Sequence, residues 1–200
     1  MAREIETKCL HLEEEEGCCN NYGSISYPIY QTATYAHEGV GRSTGFDYSR
    51  LQNPTREHLE KVVASLENGI DALAFSSGMA AISLLMEFFK PGDHLIADAD
   101  LYGGSIRLFD HVSSKNGISF SRVDCHKVNV EDYIQENTKA IYIETPTNPM
   151  MNVTDIQALS KIARKHDLLL IVDNTFLSPY FQNPLDLGAG TQRHQISGRT

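Results

Sequence analysis

The stretch TDIQALSKIARKHDLLLIVD, residues 154–173, decides the fold. Ile156, Leu159, Ile162 and Ala163 recur at spacings of three and four, which predicts an amphipathic helix with one inward stripe. Thr154 and Gln157 stand at capping-box spacing and are expected to open it. Lys161, Arg164, Lys165 and His166 gather towards its C-terminal end, where the helix dipole favours positive charge. The run LLLIVD, 168–173, then has no polar alternation before its final acid, the pattern of a central parallel strand covered on both faces.

The same alternation extends backwards through the chain. Leu59, Val62, Val63 and Leu66 predict a helix starting near Thr55 and stopped by Asn68-Gly69. DALAFSS, 71–77, reads as a short buried strand, and Ser77-Gly78 as the start of a helix carrying Ile82, Leu85, Met86 and Phe89 to a stop at Lys90-Pro91-Gly92. HLIAD (94–98), a helix with Ile106, Phe109 and Val112 inward, ISFSRV (118–123), a short helix around 130–134 and KAIYIE (139–144) complete the series. Strand and helix alternate, so the expected class is α/β with a mostly parallel sheet. Residues 1–54 are rich in turn formers and weakly periodic. Gly39, Gly41 and Gly45 lack both the G-x-G-x-x-G spacing and a strand–helix frame, and read as a loop.

Composition narrows the function classes. In 200 residues the hydrophobic set is 41% with 14 glycines, enough for a real core. The net charge of −9 disfavours a phosphate backbone, so no nucleic-acid partner is expected. No apolar run approaches the ~20 residues of a membrane span, and the N-terminus lacks the apolar centre of a signal peptide, so no membrane partner and a cytoplasmic location are expected. Asn152-Val153-Thr154 is a formal glycosylation sequon, relevant only to a secreted chain. Cys9, Cys18, Cys19 and Cys125 show no disulfide framework. Cys9, His11, Cys18 and Cys19 straddle the run Glu13 to Glu16 without a C-x-x-C pair, so they read as reduced thiols and no metal is expected.

In open α/β sheets ligands bind outside the carboxyl ends of the strands, and the unusual residues collect there. Ser76-Ser77-Gly78-Met79-Ala80 suits a phosphate at a helix N-terminus, although an ordinary serine cap and glycine turn use the same residues. Asp173 ends the most apolar strand and either serves a cation, such as a pyridinium nitrogen, or caps a turn. Tyr102 could lie on a ring or pack in the core, and Asn148 in T-P-T-N-P is either a positioned amide or part of a rigid turn.

Taken together, T-K-C-L-H (7–11), P-I-Y-Q-T-A-T-Y (28–35), Y-S-R-L-Q-N-P-T (48–55), F-S-S-G-M-A-A (75–81), Y-G-G (102–104), E-T-P-T-N-P (144–149) and V-D-N-T-F (172–176) give a specific likeness. Over about residues 5–189 the chain resembles the N-terminal part of the pyridoxal-phosphate enzymes of cysteine and methionine metabolism, which include cystathionine γ-synthase, the cystathionine lyases and O-acetylhomoserine sulfhydrylase. The resemblance implies the fold type I PLP-transferase architecture and elimination or replacement at Cβ or Cγ of a small amino-acid substrate. It also implies a homo-oligomer, a dimer of active dimers forming a homotetramer. Gly78 and Met79 would bind the cofactor phosphate through backbone N–H groups, and Tyr48 and Arg50 would reach it from a neighbouring subunit. Tyr102 would stack on the ring and assist proton transfer, Asp173 would hold the ring nitrogen protonated, Asn148 would bond the phenolic oxygen, and Thr175 would support them. Tyr102 and Asp173 are thus the catalytic candidates. Gly104 stands where methionine γ-lyases carry cysteine, which counts against that activity.

By the same likeness, residues 1–54 form an arm and inter-subunit segment, 55–189 an incomplete cofactor domain, and 190–200 a tail unlike the family. The family continues with a histidine and, four residues on, the lysine that forms its Schiff base. Aligned on His194, that lysine falls at Gly198, with Gln195 and Ser197 at the preceding hydroxyl positions, and no lysine follows Lys165. The expectation is therefore a chain truncated before the family's C-terminal domain and inactive by itself. The competing readings are a non-catalytic fragment or pseudoenzyme and an unrelated nucleotide-binding domain. The absence of G-x-G-x-x-G and G-x-x-x-x-G-K-[ST] argues against the latter.

Overall fold

The computed structural model describes residues 4–10, 24 and 26–190. The chain divides into two compact units, Met1–Ala74 and Phe75–Thr200. The first contains α1 (Ile5–Lys8) and α2 (Pro54–Leu66), and its described residues 26–53 carry the isolated antiparallel bridges Thr34–Tyr48 and Gly39–Arg42. The side chain of Asn53 caps α2 by accepting from Thr55 N–H at 2.9 Å, and Pro54 supplies a preset φ at the first helical position. Asn68, at φ 53°, ends the helix. Of the expected stripe, Val62 is buried and Leu59 is exposed.

The second unit is built on a four-stranded, wholly parallel sheet in the order β2-β1-β3-β4, from β1 (His94–Asp98), β2 (Ser119–Val123), β3 (Thr138–Glu144) and β4 (Leu169–Asp173). From β1 the chain steps outward to β2, then crosses back to β3 and on to β4. Right-handed crossovers moving in opposite directions put their connections on opposite faces. Accordingly α3 (Gly78–Met86) and α4 (Gly103–Leu108) share one core with Leu95, Ala97, Ala140, Tyr142 and Ile171. The 3₁₀ turn Val130–Tyr133 and α5 (Ile156–Lys165) cover the other, with Ile96, Ile141, Ile143, Leu170 and Val172. Odd and even positions of each strand thus go to different cores, as the two-residue pleat requires. At the centre of the α3/α4 core, Phe109 stacks on Phe120 at 4.8 Å and meets Tyr142 edge-on at 5.2 Å.

Several sequence-based expectations need correction. Residues 71–77 form no strand among the described residues, and Leu73 is 64% exposed. The run has no β-branched residue and pairs with no neighbouring strand among the described residues, and a short apolar run alone does not make a ladder. The LLLIVD strand, expected at the centre, lies at an edge of the described sheet, although both its faces are packed. Asp155, not Thr154, caps α5, accepting from Ala158 N–H at 3.0 Å. Thr154 is drawn away because its own N–H donates to Thr145 Oγ1 at 3.1 Å. After α4 the helix widens into a π turn over Phe109–Ser113, so Ser113 takes the inward place and Val112 is left 49% exposed. His11, Cys18, Cys19, His194, Gln195, Ser197 and Gly198 lie outside the described residues.

Candidate active site

The strand order reverses between β1 and β3, which places the natural ligand crevice at their carboxyl ends. Glu144 closes β3 and Asp173 closes β4, and the two are partners in register. Both share strand parity with Tyr142 and Ile171, so both face the α3/α4 side.

Glu144 is the buried hub. Its Oε2 accepts from Tyr102 N–H at 2.7 Å and its Oε1 from Asn148 N–H at 2.9 Å, so one carboxylate holds the loops leaving β1 and β3. Burial raises its pKa to about 7, with repulsion from Asp173 and Asp100 adding to the rise and the two N–H bonds opposing it. A second tie joins the same loops. Thr147 Oγ1 donates to Asp100 Oδ2, which also accepts from Asn152 Nδ2 at 3.2 Å.

Asp173 Oδ1 accepts from Thr175 N–H at 3.1 Å and from Thr175 Oγ1 at 2.5 Å. Burial pushes its carboxyl upward, against those bonds. Beneath it the Tyr142 side chain is fully buried, and burial and the Asp173 charge drive its phenol well above the usual range.

Tyr102 occupies the N-cap position of α4 and the residue is 38% exposed. The ring folds over Gly104, where a Cβ would lie 2.5 Å from Tyr102 Cε1 and 2.8 Å from Met79 Sδ. Only glycine permits that approach, so Gly104 brings Tyr102 beside the first turn of α3. Ser77 Oγ caps that helix by accepting from Ala80 N–H at 3.2 Å. The N–H groups of Gly78 and Met79 belong to the first turn, which has no intrahelical carbonyl to bond.

The structure therefore gathers Gly78, Met79, Tyr102, Asn148, Asp173 and Thr175 at one end of the second unit. Tyr48 and Arg50 belong to the first unit, where both are exposed and the guanidinium lies 5.0 Å from the Tyr48 ring centroid. Lys161 and Lys165 face solvent, and Lys165 Nζ pairs with Glu131 at 2.5 Å. Glu144, Asp100, Thr147 and Tyr142 were not singled out from the sequence. Glu144 carried a related signal, an acid ending the apolar run Ala140 to Ile143.

Acids and a glycine-opened helix thus meet at the switch point of an open parallel α/β sheet, where such folds bind their ligands. The chain belongs to the Cys/Met metabolism PLP-dependent enzyme family, whose profile matches residues 6–196. It is 47% identical over 202 residues to a cystathionine gamma-synthase/O-acetylhomoserine (thiol)-lyase of Bacillus subtilis, covering 98% of this chain and 52% of that one. It is 50% identical over 176 residues to a cystathionine gamma-lyase of the same organism, covering 88% and 46%. The crystal structure of cystathionine gamma-lyase from Lactobacillus plantarum, complexed with L-serine, superposes with a TM-score of 0.84 at 44% identity, covering 94% of this chain and 49% of that one. The chain thus spans about half the length of these relatives. Among the described residues no helix is long and apolar enough to cross a membrane.

Proposed function

We propose that the chain is the cofactor-binding half of a PLP-dependent enzyme that eliminates or replaces a group at Cβ or Cγ of a sulfur amino acid or an O-acyl homoserine. The observation that carries this reading is Asp173: a carboxylate at the end of an apolar strand, placed by its parity with Ile171 on the α3/α4 side of the sheet. The donor set suits pyridoxal phosphate. The raised carboxyl of Asp173 and its neighbour Glu144 make a locally anionic floor that a pyridinium N–H relieves.

When bound, the cofactor supplies an electron sink for the substrate's Cα. The residues divide the remaining work. Asp173, oriented by Thr175, would keep the ring nitrogen protonated. Gly78 and Met79 would hold the phosphate with N–H groups backed by the helix dipole. Tyr102 would cover the ring, and its phenol would take or return a proton at the substrate. Asn148, whose backbone Glu144 fixes, would donate to the phenolic oxygen. Tyr48 and Arg50 would reach the phosphate of a second copy, which makes the active form a homo-oligomer, and the setting is the cytoplasm. Residues 1–54 would be the arm that does this, 55–189 the cofactor domain, and 190–200 a tail without the covalent lysine.

Equilibrium dialysis of the purified chain with pyridoxal phosphate tests the reading. Saturable binding of one equivalent is expected, weakened at least tenfold by Asp173→Ala (about 1.4 kcal/mol). Borohydride reduction should label surface lysines only in trace, and cystathionine should not be turned over, because no lysine follows Lys165. Binding indifferent to Asp173→Ala would refute the assignment.

A further inference from the structure

On the opposite sheet face from the Glu144–Asp173 pair, Asp98, Asp124 and His126 converge at the carboxyl ends of β1 and β2. Asp98 has the parity of Ile96, which packs against the α5 side, so it points away from the crevice. Each of the three residues brings one ligand atom to within 4.8 Å of the other two. Asp98 is 0% exposed, and Asp124 and His126 are half-buried.

Two atoms of this group are orphaned. Asp98 Oδ2 and His126 Nδ1 are sealed from solvent without a hydrogen-bond partner. The backbone N–H of Asp100 lies 3.4 Å from the other carboxylate oxygen, and the N–H groups of Ala99 and Cys125 also face this carboxylate. A buried acceptor left unpaired costs on the order of 1–3 kcal/mol, and more when charged.

We propose that Asp98, Asp124 and His126 form a binding site for a divalent first-row transition metal, with Zn²⁺ as the representative ion. One imidazole and two carboxylates make a borderline nitrogen–oxygen set, suited to Zn²⁺, Mn²⁺ or Co²⁺. The set has too few oxygens for Ca²⁺ and no thiolate. Ligand bonds of about 2.0–2.2 Å meeting at the tetrahedral angle put ligand atoms ~3.3–3.6 Å apart, so the 4.8 Å envelope closes with rotamer movements of about an ångström. Cys125 stands between two of the ligands but packs into the core. The competitor is Lys127, whose exposed Nζ lies 3.2 Å from Asp124 Oδ2 and is cheaply displaced. A metal here would tie the exit of β2 to the loop that leads from Asp98 to Tyr102. The site is independent of the cofactor reading and draws on none of its residues.

Calorimetric titration of the chelator-treated chain with ZnCl₂, and with CoCl₂ followed by visible absorption, tests the proposal without pyridoxal phosphate. Cys9, Cys18 and Cys19 are changed to serine in a parallel background, since that thiol group is the obvious adventitious site. One equivalent of Zn²⁺ is expected in both backgrounds, with a raised unfolding midpoint and no sulfur-to-cobalt charge-transfer band. Asp98→Asn and His126→Ala should each weaken binding by more than about tenfold. His126 is half-buried, so its variant remains informative if Asp98→Asn does not fold. No stoichiometric binding, binding that survives His126→Ala, or binding lost with the cysteines would each overturn the proposal.

Discussion

Replacing Glu144 by glutamine should change the pH dependence of stability far more than stability itself. The carboxyl titrates at about 7 in the folded chain against an ordinary 4.5. The folded state therefore holds the proton more tightly than the unfolded state. The stabilising contribution of this group is complete below about pH 4.5 and is lost as pH rises through 7. A difference of roughly 2.5 pH units corresponds to about 3 kcal/mol between those limits. In Glu144→Gln the proton is not there to lose, so that slope disappears. The amide still accepts from one of Tyr102 N–H and Asn148 N–H, but turns its own NH₂ towards the other, at a cost of about 1–3 kcal/mol. The two effects nearly cancel at pH 8, and at pH 5 the variant is clearly the weaker protein. Urea titrations at half-unit steps from pH 4.5 to 8 measure this directly. The difference in unfolding free energy, wild type minus variant, should shrink by about 3 kcal/mol across the range. Parallel curves would refute both the raised pKa and the role of Glu144 as the hub between the two loops.

Gly104→Ala should push Tyr102 off its seat against Met79, lowering affinity for pyridoxal phosphate while leaving the far-ultraviolet circular dichroism unchanged. Phe109→Ala empties a fully buried site between Phe120 and Tyr142, and should cost about 3–5 kcal/mol by urea denaturation. Asp155→Ala removes the cap of α5 and should cost about 1 kcal/mol. Thr154→Val should be neutral or stabilising in the same assay, because Thr154 Oγ1 is buried without a partner.

The alternation from residue 78 onward was legible because each strand and helix there buries its own periodic face. HLIAD became β1 without adjustment, and Ile156, Leu159 and Ala163 all turned inward. The stretch 71–77 misled because a strand is defined by its neighbour, and composition says nothing about whether one is present. Val112 misled because one extra residue in a turn rotates everything after it. For the site, Asp173 and Tyr102 could be picked out by their places at strand ends, whereas Glu144 needed the structure. Its partners Tyr102 and Asn148 lie 42 residues before it and four after it, and they are bonded through backbone groups that any sequence would supply. The Asp98, Asp124 and His126 group was equally hidden, since the strand pairing of β1 with β2 alone assembles it.

The two-sided burial of β4 has a consequence for how its register is set. In a strand with one wet face, a slip of one residue turns the oily side outward, and solvation itself forbids the error. Leu168 to Val172 are apolar at every position, so a one-residue slip would leave the strand just as well buried while sending Asp173 to the α5 side. Correct phase must then be encoded at the strand's polar ends. Leu168 N–H is tied to Ala163 O at 2.8 Å before the strand, Thr145 N–H to Asp173 O at 3.0 Å at its close, and Asn174 Nδ2 to Thr145 O at 2.7 Å just after it. These few punctuation marks, rather than the oily text between them, decide which side of the sheet Asp173 serves.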